Sequence, residues 1–125
     1  LFDMILLKDN HVDFCGGIDQ ALNRCEAYQR EKGLHLKVEI EVRSEDEIRQ
    51  VMSNGKADRI MLDNFSVEAT KKAVQLIDGK FETESSGGIT LQTIRSYALC
   101  GVDYISVGAL THSVKGLDMS FKAID

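Results

Sequence analysis

Hydrophobic positions along this chain switch between two periods. Short runs at residues 4–7, 36–42, 59–62, 80–84 and 103–107, all but the fourth rich in apolar residues, predict strands. Between them, apolar residues recur at helical spacing. Ile18, Ala21, Leu22, Cys25 and Tyr28 form one stripe, and Ile48, Val51 and Met52 a second. Ala69, Ala73, Leu76 and Ile77 form a third, and Leu91, Ile94 and Ala98 a fourth. Ser44 with Glu47 reads as a capping box, and Ser66 and Thr90 as N-caps. Gly33, Gly55 and Gly101 sit where helices should stop.

Five successive β-α units imply parallel strands joined by right-handed crossovers. An open doubly wound sheet and a section of a (β/α)8 barrel both satisfy that pattern. The strand ends separate them, because a doubly wound sheet concentrates its site at one switch point whereas a barrel spreads it over several strands. Here Lys8, Glu41, Asp63, Ser86-Gly87-Gly88 and Gly108 stand at all five ends. We therefore expect an α/β fold, a partial (β/α) barrel of about five parallel strands with outer helices. A whole barrel needs about 200 residues or more. At 125 residues, with no internal linker and no proline, the chain is expected to be the C-terminal section of a larger barrel.

Composition narrows the function classes. With 43% hydrophobic and 28% charged residues the chain reads as globular rather than disordered. Its net charge of −5 argues against a broad nucleic-acid surface but not against a small anionic ligand held by local donors. Cys15, Cys25 and Cys100 are odd in number and widely spaced, so neither a disulfide framework nor a zinc site is expected. No apolar run approaches the ~20 residues of a membrane span, and a cytoplasmic location with reduced thiols is the expectation.

The candidate chemistry lies at the strand ends. In Val38-Glu39-Ile40-Glu41-Val42 the two glutamates share one face and the three apolar residues the other. With helices outside, the glutamates face the barrel interior, where burial is costly unless a cation or hydrogen-bond donors meet them; a solvated edge strand is the plainer alternative. Asp63 ends an apolar strand; alone it reads as a turn or cap residue, but beside Glu41 it completes an oxygen pair suited to Mg²⁺. Lys8 supplies a point charge for phosphate or carboxylate. Ser86-Gly87-Gly88, with a strand before and a helix after, lets backbone N–H groups approach a phosphate, and Gly108 before another helix-like segment makes the matching half. His35 reads as a surface residue, His112 as a loop residue, and His11 as a neighbour of the site. No nucleophile is paired with any of them in sequence.

Five ordered stretches together resemble quinolinate phosphoribosyltransferases. They are Leu7-Lys8-Asp9-Asn10-His11, Val38-Glu39-Ile40-Glu41-Val42, Met61-Leu62-Asp63-Asn64, Glu84-Ser85-Ser86-Gly87-Gly88-Ile89, and the run from Gly101 through Gly108 to Ser113. Leu117-Asp118-Met119-Ser120 resembles that family's C-terminal segment. The resemblance implies conversion of quinolinate and phosphoribosyl pyrophosphate to nicotinate mononucleotide, pyrophosphate and CO2, with Mg²⁺, in NAD biosynthesis. It implies that Lys8 is the active-site lysine and that Glu41, ahead of Glu39, and Asp63 form the acidic pair at ribose and metal. It further implies that Ser86, Gly87 and Gly108, with His11, bind 5′-phosphate and ribose, and that the enzyme is a homodimer or higher homo-oligomer. The family also carries an N-terminal sandwich domain and basic residues ahead of the position matching Leu1 that grip quinolinate. Residues 1–125 are therefore expected to hold the phosphoribosyl half of the site and to be inactive in isolation. The alternatives are another phosphate-binding barrel enzyme, such as a molybdenum-associated homologue, and a non-catalytic barrel domain.

Overall fold

The computed structural model describes residues 4–107 and, as backbone, 110–113. Its single sheet runs β1 (Met4–Leu7), β2 (Lys37–Val42), β3 (Arg59–Asp63), β4 (Glu82–Ser86), β5 (Tyr104–Val107) and β6 (Leu110–Ser113), with spatial order equal to chain order. The first five strands are parallel, as a barrel section requires. Helices α1 (Asp9–Cys15), α2 (Ile18–Lys32), α3 (Glu45–Asn54), α4 (Val67–Ile77) and α5 (Ile94–Ala98) follow the strands.

The core lies between sheet and helices. Val38, Ile40 and Val42 of β2 and Ile60 and Leu62 of β3 point to it, and all five are buried. They meet Leu22, Ile48, Val51, Ala73 and Ile77 from the helices. Fully burying such a side chain contributes roughly 1.5–3 kcal/mol before entropy is counted. Ser44 and Ser66 cap α3 and α4 by accepting the Glu47 and Ala69 N–H groups at 3.2 and 3.1 Å.

A repeated carboxylate device sets where strands begin. Asp58, just before β3, accepts the Val38 N–H of β2 at 2.8 Å. Asp103, just before β5, accepts the Thr83 N–H of β4 at 2.9 Å. Backbone bonds run the other way, from Asp58 N–H to the Val38 carbonyl and from Asp103 N–H to that of Thr83. Each aspartate thus stitches the foot of its own strand to its neighbour.

Several expectations need correction. The fourth strand is Glu82–Ser86 rather than 80–84, and the third extends through Asp63. Asp9–Cys15, for which no element was predicted, forms a short helix that buries only Val12. Helix α5 begins at Ile94 after a turn in which Thr93 Oγ1 accepts the Thr90 N–H, so Leu91 stays 72% exposed. Tyr28, expected on the inner stripe of α2, is half exposed. Where a helix-like segment was expected after Gly108, Leu110–Ser113 is a strand antiparallel to β5. Gly108 itself and the His112 side chain lie outside the described residues.

Candidate functional site

The face of the sheet away from the helices is polar, and register shows why. Glu39, Arg59 and Glu82 stand side by side on β2, β3 and β4. One pleat nearer the strand ends come Glu41, Met61, Glu84 and Tyr104, and above them Asp63 beside Ser86. Both glutamates of β2 thus occupy the interior, as expected from their alternation.

Arg59 links the two layers through its charge. Arg59, 3% exposed, places its guanidinium 3.4 Å from both Glu82 Oε1 and Glu84 Oε1 and 3.7 Å from the Tyr104 ring centroid. Ser106 Oγ donates to Glu84 Oε2. The Glu39 carboxyl is pushed up to about 9, first by burial and then by its hydrogen bond to Glu84 and that neighbour's charge, with Arg59 pulling the other way. Among the described residues Glu39 Oε2 has no hydrogen-bond partner, which costs less for a carboxyl that keeps its proton than for a charged one. Sequence reasoning missed Arg59, Glu84, Tyr104 and Ser106. For Tyr104 and Ser106 the signal was the alternation of polar with apolar residues in β5, while Arg59 and Glu84 had none without the register.

The upper layer opens at the strand ends. Glu41 accepts the Asp9 N–H at 3.1 Å where α1 begins. Burial raises its carboxyl, the Asp9 N–H lowers it, and the charges of Asp63 and Asp9 raise it again. Arg43, just past β2, steadies this corner through Asp13 at 3.3 Å, Glu47 at 3.4 Å and Asp9 at 3.6 Å. Two carboxylates repelling each other across neighbouring strands fit a hard divalent cation that completes its shell with water and phosphate oxygens. Among the described residues no group of three or more His, Cys, Asp or Glu side chains gathers as a metal cluster.

Beside Asp63 the chain turns sharply. Asn64 has φ +58° and donates its N–H to the Ser86 carbonyl at 2.9 Å. Gly87, at φ +90°, lies against it. This packing alone demands a glycine at this half-buried turn beside the strand ends.

Lys8 follows β1 as the N-cap residue of α1 and is exposed. Its side chain makes no hydrogen bond or ion pair with Glu41 or Asp63. His11 is not brought into the cluster. Its Nε2 lies 3.5 Å from Cys15 Sγ, and it lines a 390 Å³ cavity with Ile5, Leu7, Phe14 and Cys25 on the helix side of β1.

Sequential parallel strands, outer helices and an acidic, glycine-flanked set of strand ends define a section of a β/α-barrel enzyme domain. The family model described as "Quinolinate phosphoribosyl transferase, C-terminal domain" matches residues 1–122. The chain belongs to that family. It is 44% identical to the chloroplastic nicotinate-nucleotide pyrophosphorylase [carboxylating] of Arabidopsis thaliana, over 98% of this chain and 39% of the relative. A probable nicotinate-nucleotide pyrophosphorylase of Bacillus subtilis is 40% identical over 96% of this chain and 40% of its own length. The solved nicotinate-nucleotide pyrophosphorylase of Francisella tularensis superposes with a TM-score of 0.77 at 40% identity, over all of this chain and 40% of that one. The chain thus spans about two fifths of the length of these relatives. Among the described residues no helix is long and apolar enough to cross a membrane.

Proposed function

We propose that the protein containing this chain transfers the phosphoribosyl group of phosphoribosyl pyrophosphate to quinolinate with decarboxylation, giving nicotinate mononucleotide, pyrophosphate and CO2. The observation that carries this reading is the paired carboxylates of Glu41 and Asp63 on adjacent strands, set beside the half-buried Ser86-Gly87 turn. That is an anion-binding turn next to a negatively charged floor, as a phosphorylated ribose with a developing positive centre requires.

The 5′-phosphate is received by Ser86 and Gly87, with Gly108 as the matching half. Pyrophosphate leaves ribose C1 with its bonding electrons, and the positive charge on the ring is stabilised by Glu41 and Asp63, which stand ready without reorganisation. Glu41 is held for this by the Asp9 N–H, and Asp9 in turn by Arg43. The pyridine nitrogen then attacks C1. The carboxyl beside that nitrogen departs as CO2, leaving its electron pair on the ring carbon next to the cationic nitrogen, where a proton from water completes the product. Lys8 supplies a mobile positive charge for pyrophosphate or a substrate carboxylate. Glu41 and Asp63 would hold Mg²⁺, which when bound neutralises the leaving pyrophosphate. No enzyme nucleophile takes part. The enzyme is cytoplasmic and a homo-oligomer in this reading, and residues 1–125 alone are inactive.

The test is direct. The full-length protein, given both substrates, should release pyrophosphate and CO2 in equal amounts and form nicotinate mononucleotide. Pyrophosphate release independent of quinolinate, or none at all, would refute the reading.

A further inference from the structure

Glu84 is 3% exposed and sits one pleat below Ser86 on β4. A buried carboxylate is costly, and the fold meets that cost with three partners from three other strands. Arg59 of β3 approaches Oε1 at 3.4 Å, Ser106 of β5 donates to Oε2, and the carboxyl of Glu39 on β2 interacts with it as a third partner. Ser106 is two residues before Gly108 in sequence. The Glu84–Ser106 bond therefore ties β4 to β5 directly beneath the Ser86-Gly87 turn. It does so where the β4–β5 ladder is short, with only Glu84 and Ser85 registered against Tyr104 and Ile105. Above that ladder, side-chain bonding replaces backbone pairing.

We propose that Glu84 and Ser106 are positioning residues for phosphate binding, and that their hydrogen bond sets the spacing of the β4 and β5 ends that receive the 5′-phosphate. The inference rests on the phosphoribosyl reading of the Ser86-Gly87 turn. Neither side chain touches substrate. Glu84 is held to one rotamer by Arg59 and passes that order to β5 through Ser106. A catalytic site held on rigid, internally bonded elements loses affinity when its support loosens, even if every contacting residue remains.

The test uses the full-length enzyme with Ser106→Ala, Ser106→Thr and Glu84→Gln. Ser106→Ala removes the bond with little change in volume, and Ser106→Thr restores the hydroxyl. The readouts are KM for phosphoribosyl pyrophosphate, KM for quinolinate, kcat, and binding of inorganic phosphate by calorimetry. Ser106→Ala is expected to raise the phosphoribosyl pyrophosphate KM and weaken phosphate binding roughly ten-fold, the loss of one good hydrogen bond. The quinolinate KM and kcat should stay within about two-fold, and Ser106→Thr should recover most of the loss. The double variant should be no worse than the stronger single one, because both break the same link. An unchanged phosphoribosyl pyrophosphate KM, or equal loss for both substrates, overturns the proposal. If Glu84→Gln does not fold, Ser106→Ala decides alone. If the wild-type enzyme proves inactive with these substrates, the phosphoribosyl reading falls. Phosphate binding to wild type and Ser106→Ala then decides the positioning role separately: weaker binding supports it and equal binding overturns it.

Discussion

Asn64 and Gly87 meet so closely at the ends of β3 and β4 that a Cβ on Gly87 would lie 2.5 Å from Asn64 Oδ1 and 3.0 Å from its backbone nitrogen. Moving the Asn64 side chain relieves only the first contact, and Gly87 is also at φ +90°. Gly87→Ala should therefore lower the melting temperature and raise the phosphoribosyl pyrophosphate KM at least ten-fold. At ~1–3 kcal/mol of backbone strain plus the clash, the turn must shift. Asn64→Gly combined with Gly87→Ala should recover part of the loss and no more, because the backbone nitrogen stays in the way. Steady-state kinetics and thermal melts of the single and double variants check this.

The buried Glu39 makes stability depend on pH with a predictable sign. Its carboxyl titrates near 9 in the fold and near its ordinary value of about 4.3 when unfolded. Between those values the folded chain holds the extra proton, so stability falls as pH rises. The contribution is complete below the unfolded value and lost as pH climbs through the folded one. Glu39→Gln, which mimics the protonated carboxyl, should be nearly as stable as wild type at pH 5 and more stable at pH 9. Denaturant melts of the full-length protein across that range would show it. Parallel curves for the two proteins would mean that Glu39 is ionised in the fold.

Legibility differed between the two faces of the sheet for a physical reason. The helix-facing side follows from local period: Val38, Ile40 and Val42 alternate with glutamates, and all three are buried. The interior side depends on partners distant in sequence. Arg59 opens an otherwise apolar strand and gives no local hint that it is buried, since Glu82 and Glu84, 23 and 25 residues on, make that possible. Strand β4 reads Glu-Thr-Glu-Ser-Ser and has no hydrophobic pattern to place its bounds. Its neighbours' ladders place it instead, two residues later than its composition suggested. Glu41, Asp63, Ser86 and Gly87 were legible as strand-end residues. His11 instead stands on the short helix α1, with its Nε2 against Cys15 Sγ.

Asp58 and Asp103 should matter for stability and not for chemistry. Each accepts a buried backbone N–H at the strand feet, opposite the candidate site. Asp58→Ala or Asp103→Ala leaves that donor without its partner, at a cost of about 1–3 kcal/mol. The two losses should add, since no residue is shared between the pairs. Urea unfolding should show the lowered midpoints, while kcat and both KM values of the folded protein remain at wild-type levels.

The Glu41–Asp63 pair should reveal itself through pH and divalent cation together. Glu41 titrates above its ordinary value, and after burial the charge of Asp63 is the strongest of the neighbouring groups that raise it. Asp63→Asn removes that charge while keeping the shape, so the Glu41 carboxyl should ionise at lower pH. If ionised Glu41 is needed for turnover, the acid limb of the kcat/KM profile should move to lower pH in the variant. Its plateau should fall by roughly 10²-fold, in line with the loss of a preorganised group facing developing charge. The same substitution takes one hard oxygen charge from the cation site, so the Mg²⁺ concentration giving half-maximal rate should rise. Glu41→Gln should raise that concentration too but remove the acid limb altogether, because the group that titrates is gone. The two variants thus separate a carboxylate that tunes its neighbour from one that must itself be ionised. An acid limb that stays at its wild-type pH in Asp63→Asn would show that Glu41 is not the group being titrated.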